Sequence, residues 1–476
     1  MMYETREYHA IEQSDVDELI AICGENGVIY ADKEKLEPYS HDEVADIRYH
    51  HMPDVVVKPK TTDQVSRIMK YADEKKIPVT PRAAGSGLSG GAVPACGGIV
   101  LSVERMNSIL DVDTDNLMVT VQPGVVTNEI NETVKQHNLF FAGYPMSVET
   151  CFVGGNIAEN AGGGKAVKYG VTGRYIHGLE AVLPGGEIIR CGGKRVKDVT
   201  GYDLVHLLTG SEGTLAVITE ATIKLLPLPT HQVDLLVLFP DTAGAIGIVP
   251  KIMVETGIIP TALEYMDRLS LTTACEYLNE KLDYGDAGAI LIVTVDGHSK
   301  QQVETESEAI GELCLENGAI EVYVADNATT TERIWRIRRN AAEAFKVDSP
   351  IQSLEDIVVP FASIPEMLSR IERISAHHKI PIPCYGHAGD GNLHATPVKP
   401  VSMSDTEWDS VLAAVLEQLY TDTAELGGTI SGEHGIGSKR RKHMRLVLSD
   451  SEIALMKRIK SAFDPNGILN PGKMFE

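Results

Sequence analysis

The run Gly386-His387-Ala388-Gly389-Asp390-Gly391-Asn392-Leu393-His394 sets two imidazoles on either side of turn-forming residues. Gly389-Asp390-Gly391-Asn392 reads as a tight hairpin loop, since Gly, Asp and Asn tolerate the backbone that a reversal needs. On that reading Ala388 faces Leu393, and His387 faces His394 across the two strands. Opposed Cβ atoms lie about 5 Å apart, and imidazoles so placed both reach one cation at about 2.1 Å. A third ligand is expected from Ser431-Gly432-Glu433-His434-Gly435-Ile436-Gly437, where flanking glycines let the backbone approach a site. Glu433 suits the ligand role. His434, with an ordinary pKa near about 6.5, suits the acceptance of a proton at neutral pH. Two His and one carboxylate leave coordination positions open, as catalytic cations require, and Zn²⁺ and Fe²⁺ both suit these donors. The competing reading, of histidines that are merely hydrogen-bonded core residues, fits His377-His378 at a helix end.

A second kind of chemistry is written in glycine. Backbone N–H groups come close to a phosphate only where no Cβ intervenes. Arg82-Ala83-Ala84-Gly85-Ser86-Gly87-Leu88-Ser89-Gly90-Gly91 supplies such a loop, with two serine hydroxyls as further donors. It is neither a Rossmann fingerprint nor a P-loop: no acidic residue follows at the right distance on a helix, and no Gly-Lys-Ser/Thr occurs.

These loops need elements to hold them. Asp54–Val57 reads as a buried strand, and Thr61-Thr62-Asp63-Gln64 as a capping box opening a helix. Val65, Ile68, Met69 and Ala72 recur at helical spacing. A second strand, Ile77–Thr80, runs directly into the glycine loop. After Leu226-Pro227-Leu228-Pro229 the character changes to short β-rich runs (234–239, 289–295, 319–325, 356–360) alternating with amphipathic helices. That pattern predicts an α+β domain built on an antiparallel sheet. A third glycine-rich stretch, Gly427 to Gly437, leads into a basic helix and a C-terminal tail.

The whole chain sets outer limits. Its 476 residues exceed one core. A formal charge of −24 argues against binding to nucleic acid or to an anionic membrane surface. The seven cysteines are scattered and no C-x-x-C pair occurs, so neither an iron–sulfur cluster nor a disulfide framework is expected, and a reducing cytoplasm fits. Met1 to Ser14 is polar and lacks a signal-peptide core, and no apolar run is long enough for membrane insertion.

Several motifs follow the first glycine loop in a fixed order: Gln122-Pro123-Gly124, Pro145-Met146-Ser147, Gly154-Gly155-Asn156, Asn160-Ala161-Gly162, Gly201-Tyr202-Asp203-Leu204 and Gly210-Ser211-Glu212-Gly213. In combination they resemble the FAD-binding domain of the vanillyl-alcohol-oxidase flavoproteins. Over nearly its whole length the chain is similar to that superfamily's D-lactate and glycolate dehydrogenase branch. The resemblance implies a two-lobed FAD domain over residues 1–229, a substrate-capping α+β domain over 230–425, and a catalytic loop with a C-terminal return segment over 426–476. It also implies that Arg82, Ala83, Ala84, Gly85, Ser86, Gly87, Leu88 and Ser89 wrap the pyrophosphate. Gln122 to Gly124 belong to the same cofactor set. Pro145 to Ser147 and Gly154 to Asn156 line the chain between phosphates and ring, and Asn160 to Gly162 lie against the isoalloxazine. Glu212, Gly213 and Ile218 hold the adenosine end, and Asn470 in the tail sits near the ring. The first glycine loop carries no His or Cys that could tether the flavin, so non-covalent FAD is expected.

By the same resemblance His387, His394 and Glu433 are metal ligands, His434 is the base, and Arg338 in Trp335-Arg336-Ile337-Arg338 clamps the substrate carboxylate. The implied reaction is oxidation of a small D-2-hydroxy acid, D-lactate to pyruvate before glycolate or D-2-hydroxyglutarate. Enzymes for the longer diacid have Leu-Asn where Ala395-Thr396 stands here, and tend to be basic where this chain has Leu354. An alkylglycerone-phosphate synthase would share the fold without net redox, yet has no use for the His387, His394 and Glu433 trio. A non-catalytic FAD subunit would lack these motifs altogether. Electrons are expected to leave to an electron-transferring flavoprotein or to an iron–sulfur subunit, and the family allows a homo-oligomer.

Overall fold

The computed structural model describes residues 7–325, 327–347 and 349–475. The part of the signal-peptide reading that rests on Met1 to Arg6 lies outside them. The chain divides into two compact units, one of residues 1–162, 171–228 and 433–476, the other of 163–170 and 229–432. The octapeptide Gly163–Gly170 therefore folds with the second unit, and the chain returns to the first at Glu433.

In the first unit, strands β1 (Val28–Tyr30), β2 (Val55–Val57), β3 (Val79–Arg82) and β4 (Ile99–Ser102) form a sheet in the order β1-β2-β4-β3. β2, β4 and β3 are parallel, as strands joined by a helical crossover must be. The crossover is the helix Thr62–Lys75. Its apolar positions Val65, Ile68, Met69 and Ala72 are all 0% exposed, which is the face the helical spacing predicts. Thr61 caps it by accepting from Gln64 N. The return arm of the capping box lands one residue early, because Gln64 Oε1 accepts from Lys60 N at 2.7 Å instead.

A second lobe is an antiparallel sheet of β5 (Ile109–Asp113), β6 (Met118–Val121), β8 (Ile176–Val182), β9 (Ile188–Gly192) and β10 (Val217–Lys224), in the order β5-β6-β10-β8-β9. A two-residue ribbon pairs β7 (Leu139–Phe140) with β11 (Leu226–Pro227). The C-terminal segment completes this unit. Its basic stretch forms a short 3₁₀ turn, Arg441–Leu446, followed by the helix Asp450–Phe463. Beyond that helix, Val79 N donates to Ile468 O and Asn470 N donates to Val79 O, at 2.8 and 2.7 Å, so the tail lies along β3.

The second unit is built on seven strands: β12 (His231–Phe239), β13 (Ala262–Asp267), β14 (Ala289–Gly297), β15 (Glu321–Ala325), β16 (Glu355–Val358), β17 (Cys384–His387) and β18 (Asn392–Ala395). Their order is β15-β12-β14-β13-β17-β18-β16, and every pairing is antiparallel. One face is packed by Leu271, Ala274, Ile334, Ile337 and Ala341 from the helices Arg268–Leu278, Ala328–Arg339 and Ala341–Phe345. Among the described residues no helix is long and apolar enough to cross a membrane.

Candidate active site

The register of three strand pairs assembles the polar centre of the second unit. Glu264 on β13 lies opposite His387 on β17, which lies opposite Asn392 on β18. Two residues along, Met266 lies opposite Tyr385, Tyr385 opposite His394, and His394 opposite Asp356 on β16. Positions two apart share a face, so these rows point the same way.

The hairpin loop is 388–391, one residue earlier than the motif suggests, and His387 does not face His394 directly. Gly391 takes the left-handed backbone (φ +85°) that closes the turn. Asn392 is thereby released into the strand, where its Nδ2 donates to Asp356 Oδ1 at 2.7 Å. The shift preserves the face. His387 and His394 become diagonal neighbours with ring centroids 5.3 Å apart and nearly perpendicular planes.

Each histidine has a buried carboxylate across the next strand. Glu264 Oε1 lies 2.6 Å from His387 Nδ1, and its Oε2 pairs with Arg338 Nη2 at 2.8 Å. Burial pushes the Glu264 carboxyl up, but His387 and Arg338 outweigh it and hold the group below the ordinary carboxylate range. Asp356 accepts from Ser431 Oγ and Gly432 N, both at 2.9 Å, and stands 4.0 Å from His394 Nδ1. It thus fixes the backbone immediately before Glu433.

Arg338 is singled out from its helix. Arg333, Arg336 and Arg339 are exposed, whereas Arg338 is 4% exposed and lies 5.0 Å from the centroid of the Tyr385 ring. Its Nη2 is taken up by the Glu264 ion pair, and its Nε makes no hydrogen bond with protein. The helix is held by buried Asp234, which accepts from Trp335 Nε1 and Thr331 Oγ1 at 3.1 and 3.0 Å. His377 and His378 close the helix Ile364–His378, the first exposed and the second half-buried.

The glycine loops occupy the first unit. After β3 the loop turns at Gly85 (φ +76°), where a Cβ would run into the Arg82 guanidinium. That guanidinium donates to the carbonyls of Pro38 and His41 at 2.9 and 2.8 Å, so it braces the loop from within. Buried Asp42 accepts from Gly90 N at 2.7 Å and Glu43 N donates to Gly87 O at 2.9 Å, clamping the other side. At Gly154 a Cβ would strike the backbone of Pro123, which brings two of the expected cofactor loops into contact. Pro145 and Met146 are half-buried and Ser147 is exposed, and Ile218 is half-buried on β10.

Several polar residues of the expected cofactor set spend their side chains on protein. Asn156 Nδ2 donates to Thr127 Oγ1 at 2.7 Å, and Asn160 Oδ1 accepts from Gly173 N at 2.8 Å. Glu212 accepts from Ile436 N and Gly437 N, at 2.8 and 2.6 Å. Their carboxamides and carboxylate shape the loops. Asn470 differs: its Nδ2 donates to Gly91 O and Glu212 O, but its buried Oδ1 has no protein partner.

Glu433 and His434 open the C-terminal segment of this unit, beside Gly162, and His434 Nε2 stands 3.7 Å from Glu433 Oε1. Glu212 anchors the residues that follow. Burial pushes its carboxyl up despite the two amides, and pushes Glu159 well above the carboxylate range, with the Glu212 charge adding to it. Arg440, 0% exposed, donates from Nη1 to Gly435 O and Leu88 O, tying this segment to the first glycine loop. Sequence reasoning missed Glu264, Asp42 and Arg440. A charge inside the apolar run Ala262–Met266 was the available signal for Glu264; Asp42 and Arg440 had none.

Residues 53–192 match the family model for an FAD binding domain, and residues 228–474 that for the C-terminal domain of FAD linked oxidases. The glycolate oxidase subunit GlcD of Bacillus subtilis (strain 168) is 42% identical over 437 residues, covering 92% of each chain. The D-lactate dehydrogenase of Anaerostipes hadrus is 37% identical over 443 residues, again 92% of each chain. Among solved structures, p-cresol methylhydroxylase shares the fold with a TM-score of 0.80, at 18% identity over 98% of each chain. The protein is an FAD-dependent oxidoreductase of the vanillyl-alcohol-oxidase fold. It belongs to the FAD-linked oxidase family, in the group of 2-hydroxyacid dehydrogenases that includes glycolate and lactate enzymes. The braced glycine loop and the orphaned Asn470 Oδ1 both fit FAD.

Proposed function

We propose that the chain oxidises a small D-2-hydroxy acid, D-lactate to pyruvate first, with non-covalent FAD and a divalent cation, Zn²⁺ or Fe²⁺. The observation that carries this reading is Arg338, a buried guanidinium whose Nε has no hydrogen bond with protein, paired to the same Glu264 carboxylate that His387 meets. In that role Arg338 binds the substrate carboxylate, a planar acceptor that its fork matches. His434 takes the hydroxyl proton on an imidazole nitrogen, a role imidazoles commonly play as general bases at neutral pH. FAD supplies the acceptor for the hydride equivalent lost by the substrate carbon. A cation held by His387, His394 and Glu433 would polarise the hydroxyl and orient it.

Leu354, packed against the apolar cluster of the second unit, offers nothing to a second carboxylate, which favours a short substrate. Glycolate is the second reading, supported by the name of the Bacillus relative. A non-redox alkylglycerone-phosphate synthase would leave the two histidine rows without a task. With no iron–sulfur cysteines in the sequence, we further propose that electrons pass to an electron-transferring flavoprotein in the cytoplasm, an iron–sulfur subunit being the alternative.

Anaerobic mixing of the holoenzyme with a panel of D- and L-2-hydroxy acids tests the substrate. D-lactate should bleach the flavin fastest, with glycolate slower and the L-enantiomers inert. Elemental analysis should find one divalent cation per chain. The reduced enzyme should pass electrons to an artificial dye but not to NAD alone. Preference for an L-acid, or direct reduction of NAD, would overturn the reading.

A further inference from the structure

We infer that Glu264 is a positioning residue that sets the tautomer of His387 and the place of Arg338 with one carboxylate; this rests on the proposed role of His387 as a metal ligand. Glu264 is 0% exposed, and His387 and Arg338 are 3% and 4% exposed, so bulk water does not compete for these contacts. A carboxylate only accepts hydrogen bonds. The 2.6 Å contact therefore requires the proton of His387 to sit on Nδ1, which leaves the ring's lone pair on Nε2, the atom that ligates a metal in that tautomer. The second oxygen of the same carboxylate meets Arg338 Nη2 at 2.8 Å. Ligand and carboxylate clamp are thereby referred to one point on β13.

The backbone enforces this arrangement. Glu264 and His387 are register partners on adjacent strands, so their approach does not depend on a flexible side chain reaching across the sheet. A Cβ on Gly164 would lie 2.8 Å from Glu264 Oε1, so a glycine there leaves the carboxylate undisturbed. Packing alone would be met by an apolar residue, since a buried ion pair is often no more stabilising than hydrophobic residues of similar volume. Orientation is what the charge adds.

The test uses the FAD-loaded wild type, Glu264→Gln and Glu264→Asp, with Zn²⁺ titrated in competition with a chromophoric chelator. Glu264→Gln keeps an oxygen that accepts from Nδ1–H but lacks the charge. Its zinc affinity should fall about 10–100-fold, and KM for the hydroxy acid should rise as Arg338 loses its partner, while FAD content stays unchanged. Glu264→Asp should recover part of the zinc affinity. Long-range ¹H–¹⁵N NMR of the metal-free wild type supplies a readout that needs no variant to fold: the His387 signals, assigned by their loss in His387→Gln, should show the proton on Nδ1. A proton on Nε2, or wild-type zinc affinity in Glu264→Gln, would overturn the inference. A wild type that binds no divalent cation would instead overturn the metal reading, with the tautomer measurement still deciding the role of Glu264.

Discussion

Replacing Glu212 with Ala removes the anchor of the segment that carries His434. Two backbone amides, Ile436 N and Gly437 N, lose their acceptor in a site where Glu212 is 6% exposed. Hydrogen bonds to a charged group contribute about 1.5–3 kcal/mol each, which sets an upper range of about 3–6 kcal/mol. The raised carboxyl pKa shows that burial works against the charged form, so the lower end, about 3 kcal/mol, is expected near neutral pH. The sign of the pH dependence follows. A carboxyl whose folded pKa lies above its unfolded value, near about 4.3, contributes stability that is complete at low pH and is lost as pH rises through the folded pKa. The slope is at most about 1.4 kcal/mol per pH unit for one proton. Glu159, raised partly by the Glu212 charge, acts in the same direction. The penalty of Glu212→Ala should therefore be largest at acidic pH, below the unfolded value, and shrink as pH rises. Denaturant unfolding of the holoenzyme, followed by flavin fluorescence at several pH values, measures it. Stability within about 0.5 kcal/mol of wild type, or a penalty that grows with pH, would refute the anchoring role.

His387→Ala and His394→Ala should each abolish oxidation of the hydroxy acid and lower the bound cation while FAD remains, because both lie in the unit without the flavin loops; near-normal turnover in His394→Ala would sink the metal reading. His434→Asn should slow turnover about 10²–10⁴-fold, the usual loss when a general base is removed, and elemental analysis should find the cation retained. Loss of the cation in that variant would exchange the roles of Glu433 and His434.

Much of this architecture was legible in the chain. The helix after β2 announced itself through Val65, Ile68, Met69 and Ala72, because burial against one sheet enforces one period. β12, β14, β15 and β16 were visible as apolar runs. β17 and β18 were legible only as the two strands flanking the hairpin turn, and β13 was not, since Glu264 interrupts its apolar run. His387 and His394 were found from turn chemistry, and the error of one residue in their loop came from counting Asn392 as a turn former. Its side chain instead serves Asp356, a partner 36 residues away that local reasoning does not reach. Arg338 could be selected among four arginines only by resemblance, and burial later distinguished it. The inclusion of Gly163–Gly170 in the second unit had no local signal, because contacts between distant segments decide it.

The pairing of Val79 with the tail has a consequence for biogenesis. Val79 and Leu469 are 390 positions apart in the sequence, so the edge of β3 stays bare until Leu469 leaves the ribosome. At about 5–20 residues per second, that wait lasts roughly 20–80 s. Throughout it a strand of the first unit exposes unpaired amides and carbonyls, the kind of edge that templates aggregation. The second unit, whose long segment 229–432 is made before the tail, meets no such delay. A nascent chain stalled before Asp464 should therefore be held by chaperones through its N-terminal half, and truncating the C-terminus by a dozen residues should send the protein to inclusion bodies with its second unit folded.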